Sequence, residues 1–172
     1  MGISRKVFEV TKGFSAMRFG EDIDFSLRIM GANFSTRLFK DAFVYHKRRN
    51  NFRTFYKQVN NSGVARINLF KRHPGSLKLV HLLPAIFVLG EVFLIMMAIL
   101  FTPWFLLPLA VLSILIFFDS SFRNKSIKVG AISVLTSFEQ LTAYGIGFLK
   151  ATWKRIILGQ DEFHNFKKNF YK

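Results

Sequence analysis

Residues 79–118 read LVHLLPAIFVLGEVFLIMMAILFTPWFLLPLAVLSILIFF, and this stretch decides the architecture. Glu91 is its only formal charge, and Thr102-Pro103 interrupts it. Leu79 to Leu100 is 22 residues, about 33 Å as a helix, enough for a hydrocarbon core of roughly 30 Å. Trp104 to Phe118 is 15 residues, about 22 Å, so a second crossing must borrow flanking residues or thin the bilayer. Pro103 and Trp104 suit an interfacial turn, because Pro at a helix start costs no backbone hydrogen bond and Trp favours the headgroup level. The pattern predicts a membrane hairpin. A carboxylate at the depth of Glu91 costs several kcal/mol unless it is paired, protonated or facing protein, so Glu91 reads as a protonated or hydrogen-bonded side chain at a helix contact.

Working outward, Lys71, Arg72 and Lys78 precede the hairpin, Arg123, Lys125 and Lys128 follow it, and the turn between its spans has no Lys or Arg. The positive-inside bias then puts both outer ends in the cytoplasm. The formal net charge is +15, of which the first 78 residues, with 16 Lys and Arg against 5 Asp and Glu, hold +11. Such a balance suits nucleic acid, anionic lipid headgroups or a phosphorylated substrate. Cys is absent, which excludes a disulfide framework, thiolate zinc sites and a Cys nucleophile. Met1 to Gly20 lacks the continuous apolar core of a signal peptide. At 172 residues the chain has room for one modest domain and an anchor.

Val129 to Leu149 is apolar with a polar stripe at Ser133, Ser137, Gln140 and Tyr144, at helical spacing. A third crossing would put Lys150, Lys154 and Arg155 outside, so the favoured reading is an amphipathic helix in the cytoplasmic interface. Gly145 and Gly147 allow close packing against the hairpin, and Gly159 to Lys172 reads as a basic surface tail. Upstream, Glu21 to Met30 predicts a short amphipathic helix stopped by Gly31, and Asn51 to Phe70 a second one ending before the His73-Pro74-Gly75 turn. Ser35 to Phe39 and Ala42 to Tyr45 are strand candidates separated by Lys40-Asp41.

Gly20-Glu21-Asp22-Ile23-Asp24 sets three carboxylates at a helix start. Acidic residues there complement the helix dipole at about 0.3–1 kcal/mol each, which accounts for them without chemistry; a catalytic or metal role is the alternative. Arg28 is placed to pair with Asp24 at i, i+4. Gln58 and Arg66, eight apart, share one helix face. His46 opens a basic run with Arg48 and Arg49 and reads either as an exposed loop histidine or as a ligand for a cation or a diphosphate.

In order along the chain, Met1-Gly2-Ile3-Ser4-Arg5, Gly13-Phe14, Phe19 to Arg28, Val44 to Arg49, Gln58, Ser62 to Arg66 and Lys71 to Ser76 resemble the second half of a bacterial family-2 glycosyltransferase of the membrane-bound kind. The resemblance covers about residues 1–84. It implies an α/β fold class, the C-terminal half of a GT-A nucleotide-diphospho-sugar transferase domain over residues 1–78, followed by the hairpin at 79–118. Residues 119–172 would hold a cytoplasmic loop, an interfacial or third membrane helix and the basic tail. The implied activity moves a sugar from a nucleotide diphosphate donor to a saccharide hydroxyl or a lipid-linked polyprenyl phosphate acceptor, in cell-surface polysaccharide synthesis at the inner membrane. By the same resemblance Asp22 is the catalytic base and Glu21 supports it. Asp24, Arg66 and Gln58 serve the donor diphosphate, and His46 ligates a divalent cation, Mg or Mn. The family's Asp-x-Asp metal motif and nucleotide-binding half are missing ahead of Met1, so the chain is expected to be a C-terminal fragment that is inactive alone. A membrane-bound scaffold with a basic face for anionic lipid or a partner subunit is the alternative. A nucleic-acid module, suggested by Lys and Arg interleaved with Phe and Tyr, sits poorly beside a bilayer anchor.

Overall fold

Six α-helices carry the chain in a computed structural model that describes residues 2–45 and 51–161. Ser4 caps α1 (Arg5–Thr11), its Oγ accepting from Val7 N–H, and Lys12 ends it in the left-handed region at φ 58°. Gly20, at φ 79°, turns the chain into α2 (Glu21–Gly31), a backbone geometry that side chains disfavour. Asn51 caps α3 (Phe52–Arg72) through its side chain on Arg53 N–H. Short 3-10 turns at Pro74–Ser76 and Leu79–His81 lead into α4 (Leu83–Leu100). A further 3-10 turn, Pro103–Leu106, joins α4 to α5 (Leu107–Asn124), and α6 (Ile127–Thr152) follows, capped by Ser126 and ending in a π-turn at Trp153–Ile157.

No strand or sheet forms among the described residues, and this overturns the α/β class expected for residues 1–78. The two strand candidates carry no regular secondary structure on either side of a turn at Lys40-Asp41, where Ala42 N–H bonds to the Phe39 carbonyl. They make no ladder. Leu38, Val44 and Tyr45 are each at least 88% exposed, and a segment with no neighbour to pair its backbone groups or cover its side chains is not a sheet.

Two segments are long and apolar enough to cross a membrane, Leu79–Leu100 and Pro103–Asn124, each of 22 residues. The second is longer than the sequence reading gave, because the helix continues past Phe118 through Asp119-Ser120-Ser121 to Asn124, and no local thinning is required. The core helix of a soluble domain is covered by its neighbours, whereas only 11% of the apolar window of the first span and 0% of the second is buried within the protein. Glu91 sits at a helix contact, accepting a hydrogen bond from Thr142 Oγ1 of α6 at 3.2 Å.

The long helix α6 packs on α3, α4 and α5 alike. Its approach is set by glycines, where a methyl group would strike backbone: Gly145 against the Pro84 carbonyl of α4, Gly147 against the Asn60 carbonyl of α3, and Gly63 of α3 against the Tyr144 carbonyl. Gly130 meets the Phe117 carbonyl of α5 in the same way. Asn60 Nδ2 donates to the Ala143 carbonyl at 3.0 Å, and Ser120 and Ser133 share a hydrogen bond of 2.6 Å. Gly145 packs on the hairpin as its spacing suggests, while Gly147 packs on α3. The buried cluster Ile67, Ala85, Phe148 and Ala151 lies where α3, α4 and α6 meet.

Candidate functional site

A cleft of about 650 Å³ opens between the start of α2 and one face of α3, with Tyr144 of α6 at its edge. Gly20 begins it, because its left-handed turn brings the backbone against Leu69 and Ala65 of α3; an added Cβ would lie 3.3 Å from Leu69 Cδ1 and 3.4 Å from Ala65 Cβ. Glu21 and Asp22 follow in the first helical turn, exposed and lining the cleft. Across from them α3 contributes Gln58, Asn61, Ser62 and Arg66, successive turns of one helix face. Four sequence candidates, Glu21, Asp22, Gln58 and Arg66, are thus brought to one opening. Arg66 is half-buried and lines the cleft, and its Nε is buried with no hydrogen-bond partner.

Asp24 belongs elsewhere. It is 2% exposed and lies off the cleft, on the side of α2 that faces the Thr11–Ser15 loop and the end of α3. Its Oδ2 accepts from Arg28 Nε at 2.9 Å, the pairing its spacing predicts, and its Oδ1 meets His73 Nε2 at 2.8 Å. Arg28 also donates to the carbonyls of Thr11 and Gly13 and stacks its guanidinium over Phe25, 5.3 Å from the ring centroid. Burial pushes the Asp24 carboxyl up, but hydrogen bonds from His73 and Arg28 and the Arg28 charge outweigh it and hold the carboxyl below the ordinary aspartate range. These contacts tie α1, α2 and α3 together. The structure gives Asp24 an architectural task in place of the donor contact expected of it.

No family, curated protein or solved structure compared with this chain matches it. The site is therefore read from its own chemistry. His46, Arg48 and Arg49 lie outside the described residues. Among the described residues no three His, Asp or Glu side chains converge on a point that would hold a metal ion.

Three cleft residues escape the sequence reading. Asn61 stands three residues after Gln58, and extending the Gln58–Arg66 face by helical spacing finds it. Tyr144 was legible only as the last member of a polar stripe. Arg18, which lies 5.2 Å over the Phe19 ring, precedes the helix and has no periodic signal.

Proposed function

We propose that this chain forms the acceptor-activating side of a glycosyl-transfer site at the cytoplasmic face of a membrane. The observation that carries the reading is one cleft holding Asp22 and Glu21 opposite Gln58 and Arg66. An exposed carboxylate facing a cation and an amide across a cavity of about 650 Å³ suits a hydroxyl nucleophile on one side and a phosphate leaving group on the other. The acceptor hydroxyl oxygen attacks the anomeric carbon of the nucleotide-diphospho-sugar, and its proton passes to the Asp22 carboxylate as the new carbon–oxygen bond forms. The bond from that carbon to the diphosphate breaks, and the nucleoside diphosphate leaves with the electron pair. The Arg66 guanidinium and the Gln58 amide hold the diphosphate oxygens. Glu21 keeps the cleft mouth acidic and orients the incoming hydroxyl.

The membrane orientation supports the same arrangement. The contacts of α6 engage α4 at Pro84 and α5 at Phe117, the ends of the spans next to basic residues, as well as Glu91 near the middle of the first span; on the positive-inside reading this puts the cleft on the cytoplasmic side. A Cys placed at Lys154 is expected to resist a membrane-impermeant thiol reagent applied from outside and to react after permeabilisation. Labelling from outside contradicts the orientation.

The chemistry is tested with Asp22→Asn introduced at the chromosomal locus, following radiolabelled sugar transfer from nucleotide-diphospho-sugars in isolated membranes. Turnover is expected to fall at least about 100-fold with donor binding retained. Near-normal transfer contradicts the reading and leaves Asp22 as a helix-dipole residue.

A further inference from the structure

The end of α6 reverses the polarity of an ordinary surface turn. Trp153, Ile156, Ile157 and Leu158 are each at least 49% exposed, while Arg155 between them is buried to 5%, with Nη1 donating to the Gln160 carbonyl at 3.3 Å. The π-turn arranges this. Its hydrogen bond runs from Leu158 N–H to the Trp153 carbonyl, five residues back, at 2.9 Å. Leu158 thereby completes one widened turn and returns to the side of Trp153, with Ile157 beside it, whereas α-helical winding at 3.6 residues per turn would leave it about 140° away. Arg155, half a turn from Trp153, faces the protein. A cluster of large exposed apolar side chains, unlike a single one, calls for a cover.

The place of the turn in the fold identifies that cover. Ala151, two residues ahead of Trp153, belongs to the buried cluster with Ala85, in the first turn of α4, and Ile67 of α3. The turn is thus held beside the end at which the first apolar span begins, where Leu79, Leu83 and Ile86 are exposed as well. A Trp with aliphatic neighbours next to a span end has the composition of the boundary between lipid head groups and acyl chains. We propose that Trp153, Ile157 and Leu158 form a wedge seated in one leaflet of the bilayer, about 5–10 Å deep, a third attachment beside the two spans. Through Phe148 and Ala151 the wedge bears on Ile67 of α3, the neighbour of Arg66 in the cleft, and so sets the height of the cleft above the lipid. It rests on the hairpin's crossing of the bilayer and on apolar side chains alone, and not on the transfer chemistry or on any lysine or arginine.

The chain has two tryptophans, Trp104 and Trp153, and no cysteine, so a probe can be placed uniquely. The test is the fluorescence of Trp153 in the full chain carrying Trp104→Phe, reconstituted in phosphatidylcholine vesicles whose lipids are brominated either near the head group or near the ends of the acyl chains, and titrated with aqueous acrylamide. Shallow bromines are expected to quench at least about twofold more than deep ones, and acrylamide at least about threefold less than it quenches N-acetyltryptophanamide. The double variant Ile157→Asp/Leu158→Asp, which makes the face polar, should lose at least about half of the bromine quenching. If Trp104→Phe loses its helical circular dichroism, an environment-sensitive fluorophore on Ile157→Cys in the parent chain makes the same comparison. Full acrylamide access without bromine quenching leaves the turn in water and overturns the wedge. Protection from acrylamide without bromine quenching assigns the face to a protein cover, and stronger quenching by the deep bromines assigns it to a third crossing; either result overturns the wedge as well. None of these readouts depends on Asp22 or on sugar transfer.

Discussion

Asp22 and Asp24 begin the same helix two residues apart, and the regions they face differ in every respect that matters to a carboxylate. Two residues turn a helix by about 200°. Asp22 therefore opens onto the cleft with Gln58 and Arg66, in contact with solvent, while Asp24 is enclosed between Arg28 and His73. Composition and the helix dipole treat the two alike; the neighbours brought by α3 and by the Thr11–Ser15 loop do not. A carboxylate whose oxygens are already held by two cationic or hydrogen-bonding side chains positions a helix, and one facing a cavity is open to the proposed role of base.

The comparison can be broken most severely at the support both regions share. Gly63→Leu drives a side chain into the Tyr144 carbonyl, displaces α3 from α6 and should cost about 4 kcal/mol, seen as a large drop in the thermal midpoint in detergent. A folded variant with a parental midpoint contradicts the close crossing. Asp24→Asn should cost about 2 kcal/mol by leaving Arg28 and His73 without their anion. Because the Asp24 carboxyl is held below its ordinary range, its contribution is complete above the unfolded aspartate value of about 3.9 and is lost as pH falls through the folded value. Acid unfolding below about pH 4 should accordingly lose part of its steepness in Asp24→Asn, and an unchanged acid profile contradicts the network. Asp22→Asn, at an exposed position, should move the midpoint by less than about 0.5 kcal/mol.

The hairpin was legible because an almost uncharged stretch of 40 residues has few alternatives, and α2, α3 and α6 were legible, to within a few residues, because their apolar or polar faces recur at helical spacing. Pairing was not legible. His73 meets Asp24 across 49 residues of chain, and no local pattern announces a contact made only when the end of α3 folds back beside α2. The strand candidates failed for the same reason: the β-favouring residues at Ser35–Phe39 and Ala42–Tyr45 suit a strand, but a sheet also needs a partner that local sequence does not specify. The helix α1 passed unread because seven residues with scattered charges give too short a period. At the cleft, Glu21, Asp22, Gln58 and Arg66 were found from order and spacing along the chain, whereas Arg18 and Tyr144 come from elements whose approach depends on tertiary packing.

The most direct measurement sets the two carboxylates against each other, comparing sugar transfer per folded molecule in membranes carrying Asp22→Asn with that in membranes carrying Asp24→Asn, each beside its thermal midpoint. Asp22→Asn is expected to lose at least about 100-fold in turnover at an unchanged midpoint, and Asp24→Asn to keep turnover within about threefold at a lowered one. Turnover surviving in Asp22→Asn while it collapses in folded Asp24→Asn would contradict the division of the two roles and move the chemistry to the other face of the helix.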